Sequence, residues 1–159
     1  MVNKREIGSK IRKSILKQIS VPSVPLSRVT ENIRFGSEDE TSNLTLLYNK
    51  NHEITFFKYK DRFLPSLRFI RANPQINLPS VRVDHGAVPH ILNGADVFCQ
   101  GVEKINHDFD AGTIILVFNP QDAVLALGEA LINSQKFSSE KGKGIKNIHY
   151  LNDRIWAGK

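Results

Sequence analysis

The side chains that could carry covalent or metal chemistry are few, and their spacing argues against both. Five histidines and one cysteine are spread over 159 residues. His85 and His90 miss the i, i+4 spacing by which two residues of a helix share a metal ion. His107-Asp108-Phe109-Asp110 offers hard ligands in a loop with no third cluster nearby. Cys99 has no partner for a disulfide or a cysteine-rich zinc site, and beside Val97 and Phe98 it reads as a buried, inert thiol. No serine sits in a Gly-x-Ser-x-Gly context, and Lys141-Gly142-Lys143-Gly144 lacks the spacing of a nucleotide-triphosphate loop. The expectation is a protein without catalytic residues, cofactor or metal.

What remains is charge and backbone shape. The net charge of +6 is uneven, with +7 on residues 1–78 and −1 on residues 79–159. A basic excess of this kind fits a polyanionic partner such as nucleic acid. Arg68, Arg71 and Arg82 flank the point where the balance changes, where they either guide RNA along a basic groove or pair locally with carboxylates. Lys141, Lys143 and Lys146 form either a basic turn that approaches phosphate or a solvated turn before a last strand. Between these clusters, Gly86 and Ala87 open a short helical segment that also carries His85 and His90, and Asn93-Gly94-Ala95 closes it. Residues this small let an RNA backbone come close to unpaired N–H groups. The same residues also suit a plain helix start and a left-handed helix stop.

These candidates need a scaffold, and the hydrophobic pattern supplies one. Ile7, Ile11, Ile15 and Ile19 recur every four residues among Lys4, Arg5, Lys10, Arg12, Lys13 and Lys17, predicting a basic amphipathic helix ended by Pro22 and Pro25. Val29 to Phe35 is a candidate strand, and the acidic stretch Gly36 to Asn43 an exposed loop. Leu44–Tyr48 and Ile54–Tyr59 read as a hairpin about the turn 49–53. Pro74 and Pro79 mark a boundary, giving domains 1–78 and 79–159. Beyond it, Val81-Arg82-Val83 is a strand, Asp84 caps a helix running to Leu92, and Asn93-Gly94 stops it. Val97 begins a strand, Thr113–Phe118 and Ala123–Leu131 flank the turn 119–122, and Ile145–Leu151 is the last strand. The fold class expected is α+β, with the strand-rich second half forming a compact mixed barrel.

The segment Val83-Asp84-His85-Gly86-Ala87-Val88-Pro89-His90-Ile91-Leu92-Asn93-Gly94-Ala95-Asp96-Val97-Phe98-Cys99-Gln100-Gly101-Val102 resembles the signature of the PUA domain. The stretch Lys141-Gly142-Lys143-Gly144-Ile145-Lys146-Asn147-Ile148-His149-Tyr150-Leu151-Asn152-Asp153-Arg154-Ile155-Trp156 is similar to the ending of the malignant-T-cell-amplified-sequence protein family. Phe63-Leu64-Pro65-Ser66-Leu67-Arg68 resembles that family's lead into its PUA domain. The resemblance implies a small N-terminal α/β domain, the pre-PUA domain, followed by a PUA-type mixed β pseudobarrel. It also implies a non-enzymatic RNA-binding role in translation initiation, reinitiation or ribosome recycling. The partners it implies are tRNA or small-subunit rRNA, the small ribosomal subunit, and a density-regulated-protein-like or initiation-factor partner. Charge and backbone shape put the expected RNA contacts at the thirteen candidates above, from Arg68 to Lys146.

Two rivals stand beside this reading. One is an accessory RNA-binding subunit of a pseudouridine or archaeosine enzyme, and the other a protein-interaction module that never meets RNA. No apolar run is long enough to span a bilayer and no secretory core is evident, so a cytoplasmic location is expected. The compact length and single cysteine lean towards an archaeal source.

Overall fold

The computed structural model describes residues 3–19 and 24–158. The chain divides into two compact units, Met1–Asn77 with Arg154–Lys159, and Leu78–Asp153. Among the described residues no helix is long and apolar enough to cross a membrane.

The first unit is built on an antiparallel sheet in chain order: β1 (Arg5–Glu6), β2 (Phe35–Asp39), β3 (Leu44–Tyr48), β4 (Ile54–Tyr59) and β5 (Arg62–Pro65). Among the described residues its helices are α1 (Ser9–Leu16), α2 (Leu26–Glu31), α3 (Leu67–Ala72) and α5 (Arg154–Ala157). Leu47, Phe56, Phe57, Leu64 and Leu67 are fully buried, and Phe56 meets Phe69 of α3 at 4.7 Å between ring centres. α3 starts where it does because the Ser66 hydroxyl accepts from Phe69 N at 3.2 Å while donating to Ile54 O at 2.8 Å. One residue thus caps the helix and pins it to β4.

The hairpin 44–59 forms as its β-branched, aromatic and leucine content about the turn 49–53 predicts, but three expectations for this unit fail. The isoleucine stripe does not lie on one helical face: Ile7 is buried ahead of α1, Ile11 is 60% exposed, and Ile19 makes a bridge to Phe63. A four-residue step advances roughly 40° beyond a full turn, so four such positions fan out rather than align. Residues 29–35 are not a strand, because Pro25 stands at the N-cap of α2, which carries the buried Val29 inward. Residues 36–43 are not all loop. Phe35–Asp39 is β2, between β1 and β3, and its buried side chain is the polar Ser37, whose hydroxyl meets Tyr48 Oη at 2.9 Å. Pro22, expected to end the first helix, lies outside the described residues.

The second unit is one six-stranded sheet in the order β7-β11-β10-β9-β6-β8. Its strands are β6 (Ser80–Val83), β7 (Val97–Phe98), β8 (Val102–Asn106), β9 (Ile114–Phe118), β10 (Val124–Ala130) and β11 (Lys143–Tyr150). β6 and β9 are parallel and the other pairs antiparallel. The edge strands β7 and β8 are joined by only the 3-10 turn Cys99–Gly101. A flat sheet of six strands would hold its edges roughly 24 Å apart, whereas three linking residues reach about 10 Å. The sheet therefore curls into a half-barrel, the pseudobarrel that the resemblance implies. Val81, Val83, Ile91, Cys99, Ile115, Val117 and Ile145 fill it, and Phe137 meets Phe109 edge-on at 5.5 Å between ring centres. Burial pushes the Cys99 thiol up, which suits the inert role expected of it.

The last helix, α5, groups with the first unit rather than with residues 79–153. Arg154 forms an ion pair with Asp39, whose carboxyl it holds well below the usual carboxylate range.

Candidate nucleic-acid interface

In the second unit, β6 delivers the chain into a tight turn at Asp84, whose Oδ1 accepts from Ala87 N at 2.9 Å. The short helix α4 (Val88–Ile91) follows, with Pro89 in its first turn. It is shorter than the expected run from an Asp84 cap to Leu92; the chain then turns at Gly94, where φ is +91°, and Ala95 N donates back to His90 O at 3.0 Å. Asn147 of β11 clamps this end by donating from Nδ2 to Ile91 O and Ala95 O, both at 3.0 Å. Asp96 Oδ1 accepts from Asn147 N at 2.9 Å, and Asp96 Oδ2 takes Lys143 Nζ at 3.2 Å.

These contacts leave an open groove of about 530 Å³. Gly86, Ala87, Ala95 and Gly101 are the small residues of its lining, and the exposed His90 and Gln100 line it too. Phe98 lines it and is 47% exposed. The groove suits a splayed base or ribose. The small walls admit it, Phe98 offers a ring for stacking, and His90 and Gln100 supply hydrogen-bond partners. It suits free phosphate poorly, because Asp84 and Asp96 are also in its wall.

Of the thirteen sequence candidates, the structure gathers Gly86, Ala87, His90 and Ala95 here. Lys143 stands at the edge through Asp96, and the exposed His85 approaches Gln121 at 3.5 Å. Asn93 is exposed after α4. Gly94 lies against Tyr150, and a Cβ there would stand 3.2 Å from the Tyr150 hydroxyl and 3.3 Å from its ring. Lys141 is exposed, while Lys146 lies across the strand pair from Glu129. The basic stretch 141–144 is not all turn, because Lys143 and the buried Gly144 belong to β11. Arg82 faces Glu103 at 3.9 Å and Asp122 at 3.8 Å. Arg68 and Arg71 belong to the first unit.

Sequence reasoning missed Phe98 and Gln100. The available signal was alternation: Val97 and Cys99 are buried, so Phe98 between them must face out. Among the described residues no three His, Cys, Asp or Glu side chains gather as a metal site.

The PUA domain family matches residues 79–151, which span all six strands just described. Residues 79–151 form a PUA domain. This unit carries the groove, and the similarity to curated relatives takes in 69% of the chain. Translation machinery-associated protein 20 of Saccharomyces cerevisiae is 32% identical over 118 residues, 69% of this chain and 65% of that protein. Malignant T-cell-amplified sequence 1 of Rattus norvegicus is 34% identical over 119 residues, 69% of this chain and 63% of that protein. The chain thus spans just under two thirds of the length of these curated relatives. The crystal structure of a PUA domain from Aeropyrum pernix K1 has the same fold, with a TM-score of 0.80 at 19% identity over 100% of this chain and 94% of that one.

Proposed function

We propose that this PUA-domain protein is a non-enzymatic RNA-binding protein of the translation apparatus. It holds an unpaired segment of tRNA or small-subunit rRNA in the groove of its PUA unit. The observation that carries this reading is the groove itself: small walls at Gly86, Ala87 and Ala95 beside the exposed Phe98, in a fold matched by the PUA family. The names of its relatives connect them with translation machinery, which supports action on the small ribosomal subunit in initiation, reinitiation or recycling. A density-regulated-protein-like or initiation-factor partner and a cytoplasmic location go with that role. In this reading residues 78–153 are an autonomous RNA-binding domain.

The test is the affinity for tRNA with and without its terminal CCA, measured by fluorescence anisotropy over a salt series. The parent should bind with a falling log–log salt dependence and should distinguish the two RNAs. Replacing Lys141, Lys143 and Lys146 together by alanine should flatten the slope by about 0.7, the share of a single phosphate contact. Lys143 is already paired with Asp96, and Lys146 sits opposite Glu129. Preference between the RNAs should persist, since lysine reads charge and not shape. Salt-independent binding or equal affinity for both RNAs would count against the reading.

A further inference from the structure

Arg68 and Arg71 have a setting of their own in the first unit. α3 places them one helical turn apart, and both lean on Trp156 of α5. The guanidinium carbon of Arg68 lies 4.1 Å from the centre of the indole ring and that of Arg71 5.4 Å. Arg68 Nε also donates to the Trp156 carbonyl at 2.9 Å. Arg28 of α2 reaches the same groove, its Nη1 donating to Asn73 Oδ1 at 3.1 Å. The groove encloses about 530 Å³.

The charges in it are unbalanced. Arg34, Arg82 and Arg154 each face a carboxylate, but among the described residues Arg28, Arg68 and Arg71 have none within ion-pair distance. Glu53 is the acidic residue in the lining, and its Oε2 is engaged by Asn49 Nδ2 at 2.8 Å. Three guanidinium groups therefore converge on one opening against a single carboxylate. Stacking on indole fixes the planes of Arg68 and Arg71, which lowers the entropy lost when their N–H forks meet an oxyanion. A planar fork matches the oxygens of a phosphate in bidentate fashion.

The geometry points to a second RNA-contacting site, in the first unit, where Arg28, Arg68 and Arg71, steadied by Trp156, bind backbone phosphates. This rests on the reading of the chain as an RNA binder. It supplies phosphate contacts that the PUA groove, with Asp84 and Asp96 in its wall, is poorly suited to make. It also gives the basic excess of residues 1–78 a specific location.

Trp156 is the one tryptophan of the chain, so its emission reports on this groove alone. The full chain is titrated with a single-stranded RNA carrying its own fluorophore, following both indole emission and RNA anisotropy. The parent should show a saturable change in emission at the same midpoint as the anisotropy. Arg28→Gln combined with Arg71→Gln should weaken binding about 10-fold and flatten the salt slope by about 1.4, two phosphates' worth. Both side chains are exposed. Should the double variant lower the melting temperature, Arg71→Gln alone, which breaks no hydrogen bond among the described residues, should still give about half that slope change. RNA binding with unchanged emission and an unchanged double variant would overturn this site while leaving the RNA-binding reading intact. A parent that binds no RNA at low salt would overturn both. An oligoglutamate that perturbs Trp156 at lower concentration than RNA would overturn the site in favour of an acidic protein segment.

Discussion

Ala95→Glu should weaken RNA binding about 100-fold while leaving the melting temperature near that of the parent. Ala95 is exposed, lines the PUA groove with Gly86, Ala87 and Phe98, and holds its place through backbone groups alone. Its N–H donates to His90 O and its carbonyl accepts from Asn147, contacts that a new side chain does not disturb. A glutamate there fills the slot and adds a third carboxylate to a wall that already holds Asp84 and Asp96. Juxtaposing like charges with an incoming phosphodiester costs several kcal/mol, and about 3 kcal/mol corresponds to roughly 100-fold. Gly94→Arg is a poorer test. With φ at +91° and Tyr150 at 3.2 Å from the added Cβ, its loss of binding would report damage to the fold. Anisotropy with matched circular dichroism melts checks the prediction, and parent-like affinity in folded Ala95→Glu would move the RNA site elsewhere.

The largest effect on stability is expected from Gly128→Ala in the PUA unit. An added Cβ would lie 2.4 Å from Ile145 Cγ2 and 2.7 Å from the Lys146 carbonyl oxygen. Ile145 is wholly buried, and the carbonyl belongs to the paired strand β11, so neither can swing aside without opening the sheet. Overpacking of a core costs about 1–3 kcal/mol, and the backbone clash puts this variant at the upper end. For a unit of this size each kcal/mol lowers the melting temperature by about 4–8 °C. Gly142→Ala is the control, since nothing stands within 4 Å of its added Cβ, and it should change stability by less than about 0.5 kcal/mol. Scanning calorimetry on the three proteins decides it. A Gly128→Ala variant that melts with the parent would mean that β10 and β11 are not packed as described.

The stretch 141–144 shows where the sequence stops being legible. Gly142 and Gly144 look alike as letters, yet one is open to solvent and the other leaves room for Phe137 and Cys99, 2.6 and 2.9 Å from its absent Cβ. That difference comes from the curl of the sheet, which local pattern does not encode. The PUA unit was otherwise readable because its strands stand out as apolar runs between turn residues, and because Asp84 and Gly94 bracket the short helical segment through local roles, a bond to Ala87 N and a left-handed turn. β2 was hidden because its inward position is Ser37, made tolerable only by Tyr48 across the sheet. α2 was hidden by β-branched residues held helical through burial of Val29. The grouping of Arg28 with Arg68, Arg71 and Trp156 spans most of the chain in sequence, and only the folded first unit brings them together.

The central claim, that the PUA groove is the RNA-binding surface, is tested most directly by ultraviolet crosslinking of the full chain to tRNA. Mass spectrometry of the nuclease-trimmed peptides then locates each adduct. The ring of Phe98 is exposed at the groove and placed to stack on a base, so adducts in residues 84–101, centred on Phe98, are predicted, and Ala95→Glu should remove them. Efficient crosslinking with no adduct in that segment, or adducts there that survive Ala95→Glu unchanged, would contradict the account.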